Sequence, residues 1–300
     1  MCQHVRGSFE LGPRSRYHRR MAVMLLSCPD QPGIVAKVAT FIHERGGNII
    51  HADQHADRTH GRFLQRVEFD LPSWVEPDAF TAEFAPMAAA LSMQWNVITG
   101  DVRQRIAILV SQQGHCLHDL LARSAMGELP ADISAVISNH DTHADAAARF
   151  DIPFVHLPVE SSRRSEQHGK LLSTLDQLQP DLIVMARYMQ ILPSEICERF
   201  RHRIINIHHS FLPAFIGAKP YHQAYDRGVK LIGATAHYAT SDLDQGPIIC
   251  QDVTAVSHRD DVDRLVQRGR DLEMIVLARG VQLHLEHRVL AYANRTVVFD

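Results

Sequence analysis

Two α/β domains in tandem are predicted for this 300-residue chain: a ferredoxin-like β-α-β-β-α-β unit, then a Rossmann-like, mostly parallel sheet. Three observations carry that prediction. Strand and helix patterns follow one another in β-α-β-β-α-β order over residues 21–98. A polar stretch at 99–105 reads as a linker. From residue 106 to 300, short apolar strands alternate with helical segments, the pattern of a sheet covered on both faces.

Residues 1–20 form a basic tail, with Arg6, Arg14, Arg16, Arg19 and Arg20 against Glu10. They lack the apolar run of a secretory signal and are expected to be disordered. Met21–Leu26 is a short apolar run that fits a buried strand, closed by the turn Cys28-Pro29-Asp30-Gln31-Pro32-Gly33. Ile34, Val35, Val38, Phe41 and Ile42 recur at helical spacing until Gly46-Gly47 stops the helix. Asn48-Ile49-Ile50 starts a second strand, Arg62–Phe69 alternates like a third, residues 78–91 read as a helix and Trp95–Ile98 as a last strand.

In the second domain the apolar strands are Ile106–Val110, Ile133–Ser138, Asp181–Met185, Arg203–Asn206 and Leu231–His237, and residues 260–287 make a long helix charged on one side. No apolar stretch is long enough to span a bilayer. The 31 basic and 34 acidic residues give a net charge of −3, so no global field holds nucleic acid or an anionic membrane. Five cysteines without a CxxC pair indicate neither a disulfide framework nor a zinc ribbon, and a cytoplasmic setting is expected.

The chemistry concentrates in Ile204–Pro213. Residues two apart on a strand share a face, so Asn206 and His208 project together while Ile207 turns into the apolar layer. They stand at a strand's carboxyl end, where open α/β sheets build their sites. Ser241–Pro247 is a turn that offers the Asp244 carboxylate. Amide, imidazole and carboxylate together suit acyl transfer or hydrolysis: a donor for the carbonyl oxygen, an acid/base, and a group to orient the base or the water.

Asn206-Ile207-His208, with Asp244 in Leu-Asp-Gln-Gly-Pro-Ile, resembles the signature of the folate-dependent formyltransferase family, whose members share an Asn, His and Asp catalytic set. Within it, the run His208–Tyr225 is most similar to the deformylase branch, which hydrolyses 10-formyltetrahydrofolate to formate and tetrahydrofolate for one-carbon and purine metabolism. Transferases of the family usually carry Pro at the place of His209 and Leu at the place of Phe211. Deformylases are also similar in carrying an amino-terminal ACT domain, which residues 21–98 fit.

The resemblance implies that Asn206 stabilises the oxyanion, Asp244 holds the water and the His208 ring, and His208 moves protons, with the choice of base left open between His208 and Asp244. It implies a pterin cleft between Met189, Gln190, Ile191 and Leu192 and the loop Thr240, Ser241, Asp242 and Leu243, with His209 and His222 near the water. No cofactor beyond the folate substrate is implied, and no metal site is expected. For the ACT domain the resemblance implies an amino-acid effector such as glycine or methionine at Asp30, Gly33 and Asn48, or a structural pairing unit, within a dimer or tetramer.

Transferases that bind a phosphorylated acceptor hold its phosphate on a glycine-rich turn after the first strand. Here that turn reads Ser111–Leu117 and keeps only Gly114, so water is the expected acceptor. A transferase to a small amine and a non-catalytic amino-acid sensor are the competing readings. Histidine is abundant, 20 of 300 residues. His51 with His55 and His140 with His143 have metal-ligand spacings on a helix, but are expected to be solvated surface residues.

Overall fold

In the computed structural model, residues 19–100, 103–159, 164–213 and 220–299 are described, and the chain divides into two compact units at Asp101/Val102. Residues 1–18 of the expected tail, 101–102 of the expected linker and 214–219 of the run after His208 lie outside the described residues.

The first unit is a four-stranded antiparallel sheet in the order β2-β3-β1-β4, from β1 (Arg19–Pro29), β2 (Asn48–Asp57), β3 (Arg62–Pro72) and β4 (Gln94–Thr99). Strand β1 begins two residues inside the expected tail, because Arg19 forms an ion pair with Asp70 across its pairing with β3. Ala22, Met24, Leu26 and Cys28 alternate onto the buried face. There they meet α1 (Ile34–Glu44) and α2 (Pro77–Ala90), whose Phe41, Phe80 and Phe84 pack edge to face at 5.2 and 5.1 Å.

The second unit is a seven-stranded sheet ordered β11-β10-β9-β8-β5-β6-β7. Its parallel part is β5 (Gln104–Val110), β6 (Ala131–Ser138), β7 (Phe154–His156), β8 (Leu182–Met185) and β9 (Ile204–His208). β10 (Leu231–Tyr238) and β11 (Ile248–Ala255) complete it antiparallel. Gln104 and Arg105, expected in the linker, already belong to β5. β5 is buried on both faces: Ile106, Ile108 and Val110 face α3 (His115–Ala125) and α8 (Val262–Leu285), while Ala107 and Leu109 face α5 (Arg164–Leu178) and α6 (Ser194–Arg199). A strand buried on both sides reads as a continuous apolar run, which is why the sequence shows it so plainly. Strand β7 is three residues long and too short for its pattern to stand out.

Candidate active site

In β9, Ile205 and Ile207 face the α8 layer of the core, so Asn206 and His208 project from the opposite face. β10 runs antiparallel beside it and sets His237 directly across from Asn206, and Thr235 across from His208. Thr235 Oγ1 donates to the carbonyl of Ser210 and accepts from the amide of Leu212, which pins the chain leaving β9.

The loop after β10 brings Asp244 back over these side chains. Asp244 lies in the left-handed region at φ 57°, a conformation in which short polar side chains are favoured. Two residues on, Gly246 passes so close to β10 that a Cβ there would lie 1.7 Å from the carbonyl oxygen of Tyr238. Only glycine fits.

The resulting geometry joins the three predicted catalytic residues and sets His237 behind them. His208 Nδ1 lies 3.1 Å from Asp244 Oδ2, with the two side chains 5% and 8% exposed. His208 Nε2 is buried and has no hydrogen-bond partner among the described residues. Asn206 Nδ2 lies 3.2 Å from His237 Nε2, and His237 Nδ1 lies 3.0 Å from the carbonyl of Tyr238. A carbonyl can only accept, so His237 Nδ1 carries the proton and Nε2 accepts from the Asn206 amide. The second N–H of that amide remains available. Asp244 Oδ1 is 3.7 Å from His237 Nε2, beyond hydrogen-bond reach. Burial alone would raise the Asp244 carboxyl, but the hydrogen bond from His208 leads the opposing effects and holds it well below the usual carboxylate range.

Asn206, His208 and Asp244 line a cleft of about 520 Å³ that also takes in Met189, Gln190, Ile191, His209, His222 and Leu243 from the expected substrate set. Met189, Ile191 and Leu243 are exposed apolar side chains, 60%, 65% and 57% accessible, at the edge of a polar site, which suits an apolar ring. Leu192 is buried and faces a neighbouring cavity of about 350 Å³ instead. Thr240, Ser241 and Asp242 are not among the residues lining the cleft; Thr240 Oγ1 donates to the carbonyl of Asp242 and shapes the loop behind Asp244. The Met189 loop is tied to the end of β5 by the Met189 amide, which donates to Ser111 Oγ, itself 2.7 Å from Asn139 Oδ1.

The turn after β5 is filled with side chains. The His143 ring lies over Gly114, where a Cβ would come within 2.3 Å of it, and its Nε2 lies 3.1 Å from the carbonyl of Gln112. His143 is therefore a buried packing residue, contrary to the surface position expected for it. His51 and His55 lie on strand β2, where four residues span about 13 Å, so they do not chelate one ion.

Beside the same cleft is a buried polar cluster that sequence reading missed. Glu273, 1% exposed on α8, receives Tyr221 Oη at 2.6 Å and His115 Nε2 at 2.8 Å, and Arg187 Nε lies 3.4 Å away. Arg187 also donates to Gln113 Oε1 through Nε and Nη2. Burial would raise Glu273, but these hydrogen bonds and the guanidinium hold it down as a carboxylate. His115, Cys116 and Glu273 bring ligand atoms within 4.8 Å of one another, as a metal site would, yet the carboxylate is already engaged and burial pushes the Cys116 thiol up.

In the first unit, Asp30 and Gly33 sit in the β1–α1 turn, with the Asp30 amide bonded to the carbonyl of Gly61 and Gly33 at φ 88°. Asn48 opens β2, where its amide donates to Asp70 Oδ1. Gly61 immediately precedes β3 and Asp70 lies near its far end, about 30 Å along the strand. One chain does not bring the three residues together.

Residues 104–281 match the formyl transferase family and residues 22–71 the ACT domain. The chain is 53% identical to a formyltetrahydrofolate deformylase of Synechocystis sp., over 93% of this chain and 98% of that protein, and 48% identical to one of Bacillus subtilis, over 92% and 93%. A crystal structure of a formyltetrahydrofolate deformylase from Pseudomonas syringae pv. tomato superposes with a TM-score of 0.91 at 47% identity, covering 94% of this chain and 95% of that one. With both domains matched in order and likeness extending over nearly its whole length, the chain belongs to the formyltetrahydrofolate deformylase family.

Proposed function

We propose that this protein hydrolyses 10-formyltetrahydrofolate to formate and tetrahydrofolate. The observation that carries the reading is the His208–Asp244 pair, with His208 Nε2 unpartnered beside the Asn206 amide in an apolar-edged cleft. Because the Nδ1–H is directed at Asp244, the lone pair of Nε2 faces outward to take a proton. Asp244, held low, is a poor base, and its role is to orient the ring.

Water attacks the formyl carbon as its proton passes to His208 Nε2, and the carbonyl electrons move onto oxygen. The free N–H of Asn206 donates to that oxyanion. When the intermediate collapses, the C–N bond breaks and His208 returns the proton to the departing folate nitrogen. That nitrogen is anilinic and weakly basic, so protonation at the moment of departure lowers the barrier. Met189, Ile191 and Leu243 hold the pterin. Purified protein given 10-formyltetrahydrofolate in water, without an amine, releases equal amounts of formate and tetrahydrofolate. Asn206→Ala cuts that rate by about a hundredfold to a thousandfold, the usual cost of one oxyanion donor; an unchanged rate refutes the assignment.

The ACT domain binds an amino-acid effector such as glycine or methionine. Since Asp30 and Gly33 lie at one end of the sheet and Asn48 at the other, a ligand shared by them requires two copies, as in a dimer or tetramer. Calorimetric titration with each amino acid, beside sedimentation, tests both points; a monomer that binds neither refutes them. A cytoplasmic setting suits the free thiols of Cys28, Cys116, Cys197 and Cys250.

A further inference from the structure

Acyl transfer to water and to an amine share the same first step, so the trio of Asn206, His208 and Asp244 does not choose between them. The choice lies in what can reach the formyl carbon. An attacking atom must come within about 3–3.5 Å along an open path. The cleft has an apolar lining from Met189, Ile191 and Leu243, the last adjoining Asp244 in sequence. A wall of rings runs from His208 to the His209 ring, 5.2 Å between centroids, and on to the Tyr221 ring, 6.1 Å further.

Tyr221 is fixed from two sides. Its hydroxyl donates to Glu273 at 2.6 Å, and its ring lies so closely on α8 that a Cβ at Gly269 would come within 2.1 Å of Cζ. Glu273 is in turn braced by His115 and Arg187. Burying a carboxylate in the layer between helix and sheet costs stability that apolar side chains of the same volume would not, so the bridge is poorly explained as a stabilising feature. It does hold an aromatic ring rigidly against His209, whose own ring lies against the catalytic histidine.

We infer that the Tyr221 and His209 rings, locked by Glu273, are a stopper that closes the acceptor side of the cleft to amines and leaves room only for water. The inference rests on the hydrolytic reading above and names the residues that enforce it. Such exclusion is specificity by a built-in clash, not by an added attraction. Arg187 and His115 are positioning residues in this account, since they act through Glu273.

The test is a partition experiment on the full chain with 10-formyltetrahydrofolate and hydroxylamine, a small nucleophile that is neutral at pH 7. Formate reports attack by water and formohydroxamate attack by the amine. Wild type gives formate almost alone. Tyr221→Ala raises the ratio of formohydroxamate to formate by about tenfold or more, and Tyr221→Phe, which keeps the ring packed on α8 but loses its bond to Glu273, raises it by a smaller factor. His209→Ala opens the same wall and raises the ratio in the same direction, which keeps the test valid if Tyr221→Ala does not fold. A folded Tyr221→Ala or His209→Ala protein that releases formate at an unchanged ratio overturns the stopper alone. A wild-type protein that releases no formate in water overturns the hydrolytic reading beneath it.

Discussion

His208 Nδ1 stands 3.1 Å from Asp244 Oδ2, while the Nε2 of the same ring is buried and meets no hydrogen-bonding group among the described residues. One edge of the imidazole is thus committed and the other is kept for the reaction. The carboxylate fixes the tautomer, and the tautomer decides which atom carries the lone pair. Asp244→Asn replaces an acceptor with a side chain able to present N–H, turning the ring to the wrong tautomer. The expected result is a fall in kcat of about a thousandfold or more with KM little changed. A drop confined to KM would place Asp244 in binding instead.

His237 holds the Asn206 amide through its Nε2 and touches no reacting atom in this account. His237→Ala frees the amide to rotate, and kcat falls by about tenfold to a hundredfold, the cost of misplacing a catalytic group by an ångström or so. His237→Gln offers an acceptor in nearly the same place and restores a good part of the loss. Steady-state kinetics of the pair decide the matter: equal activities of the two variants would assign His237 to packing alone.

Gly246 sets how closely the Asp244 loop lies on β10. The methyl group of Gly246→Ala would overlap the Tyr238 carbonyl, so the loop must lift. The variant loses about 1–3 kcal/mol of stability in urea, the usual cost of overpacking, and kcat falls with it. Wild-type stability in this variant would contradict the close approach.

Acid should destabilise the fold through buried neutral histidines. Burial, followed by the charge of Arg187, pulls His209 down to about 4, and burial does the same to His284, whose Nδ1 lies 2.8 Å from Tyr238 Oη. A histidine whose folded pKa lies below its unfolded value binds more protons unfolded than folded in the interval between them. Its contribution is therefore full above pH about 6.5 and lost progressively as pH falls from there toward 4. Urea midpoints measured at pH 7 and pH 5 fall more for wild type than for His209→Asn; an equal fall in both would show that His209 takes up its proton without penalty.

Legibility in the sequence followed burial. β5, β6 and β8 are apolar on both faces, and Asn206 and His208 break such a run at two-residue spacing where nothing apolar would be expected to give way. Asp244 stands in a turn whose glycine and proline mark it. His237 is hidden in the sequence because it stands near the end of the mostly apolar strand Leu231–Tyr238, and only the antiparallel pairing of β9 with β10 sets it opposite Asn206. Glu273 was hidden for the opposite reason: α8 carries many charges, and one more reads as solvated surface until the sheet is packed against it. Asp30 and Gly33 share one turn of the sequence while Asn48 opens the next strand, and the fold sets the turn at one end of the sheet and Asn48 at the other.

The central claim is that water, activated at His208, is the acceptor of the formyl group. Turnover of 10-formyltetrahydrofolate in ¹⁸O-labelled water, with the formate analysed by mass spectrometry at early times, tests it directly. The expected product is formate that gains one labelled oxygen per turnover with no amine present. Tetrahydrofolate that appears only when an amine is supplied, or formate released without the label, would contradict it.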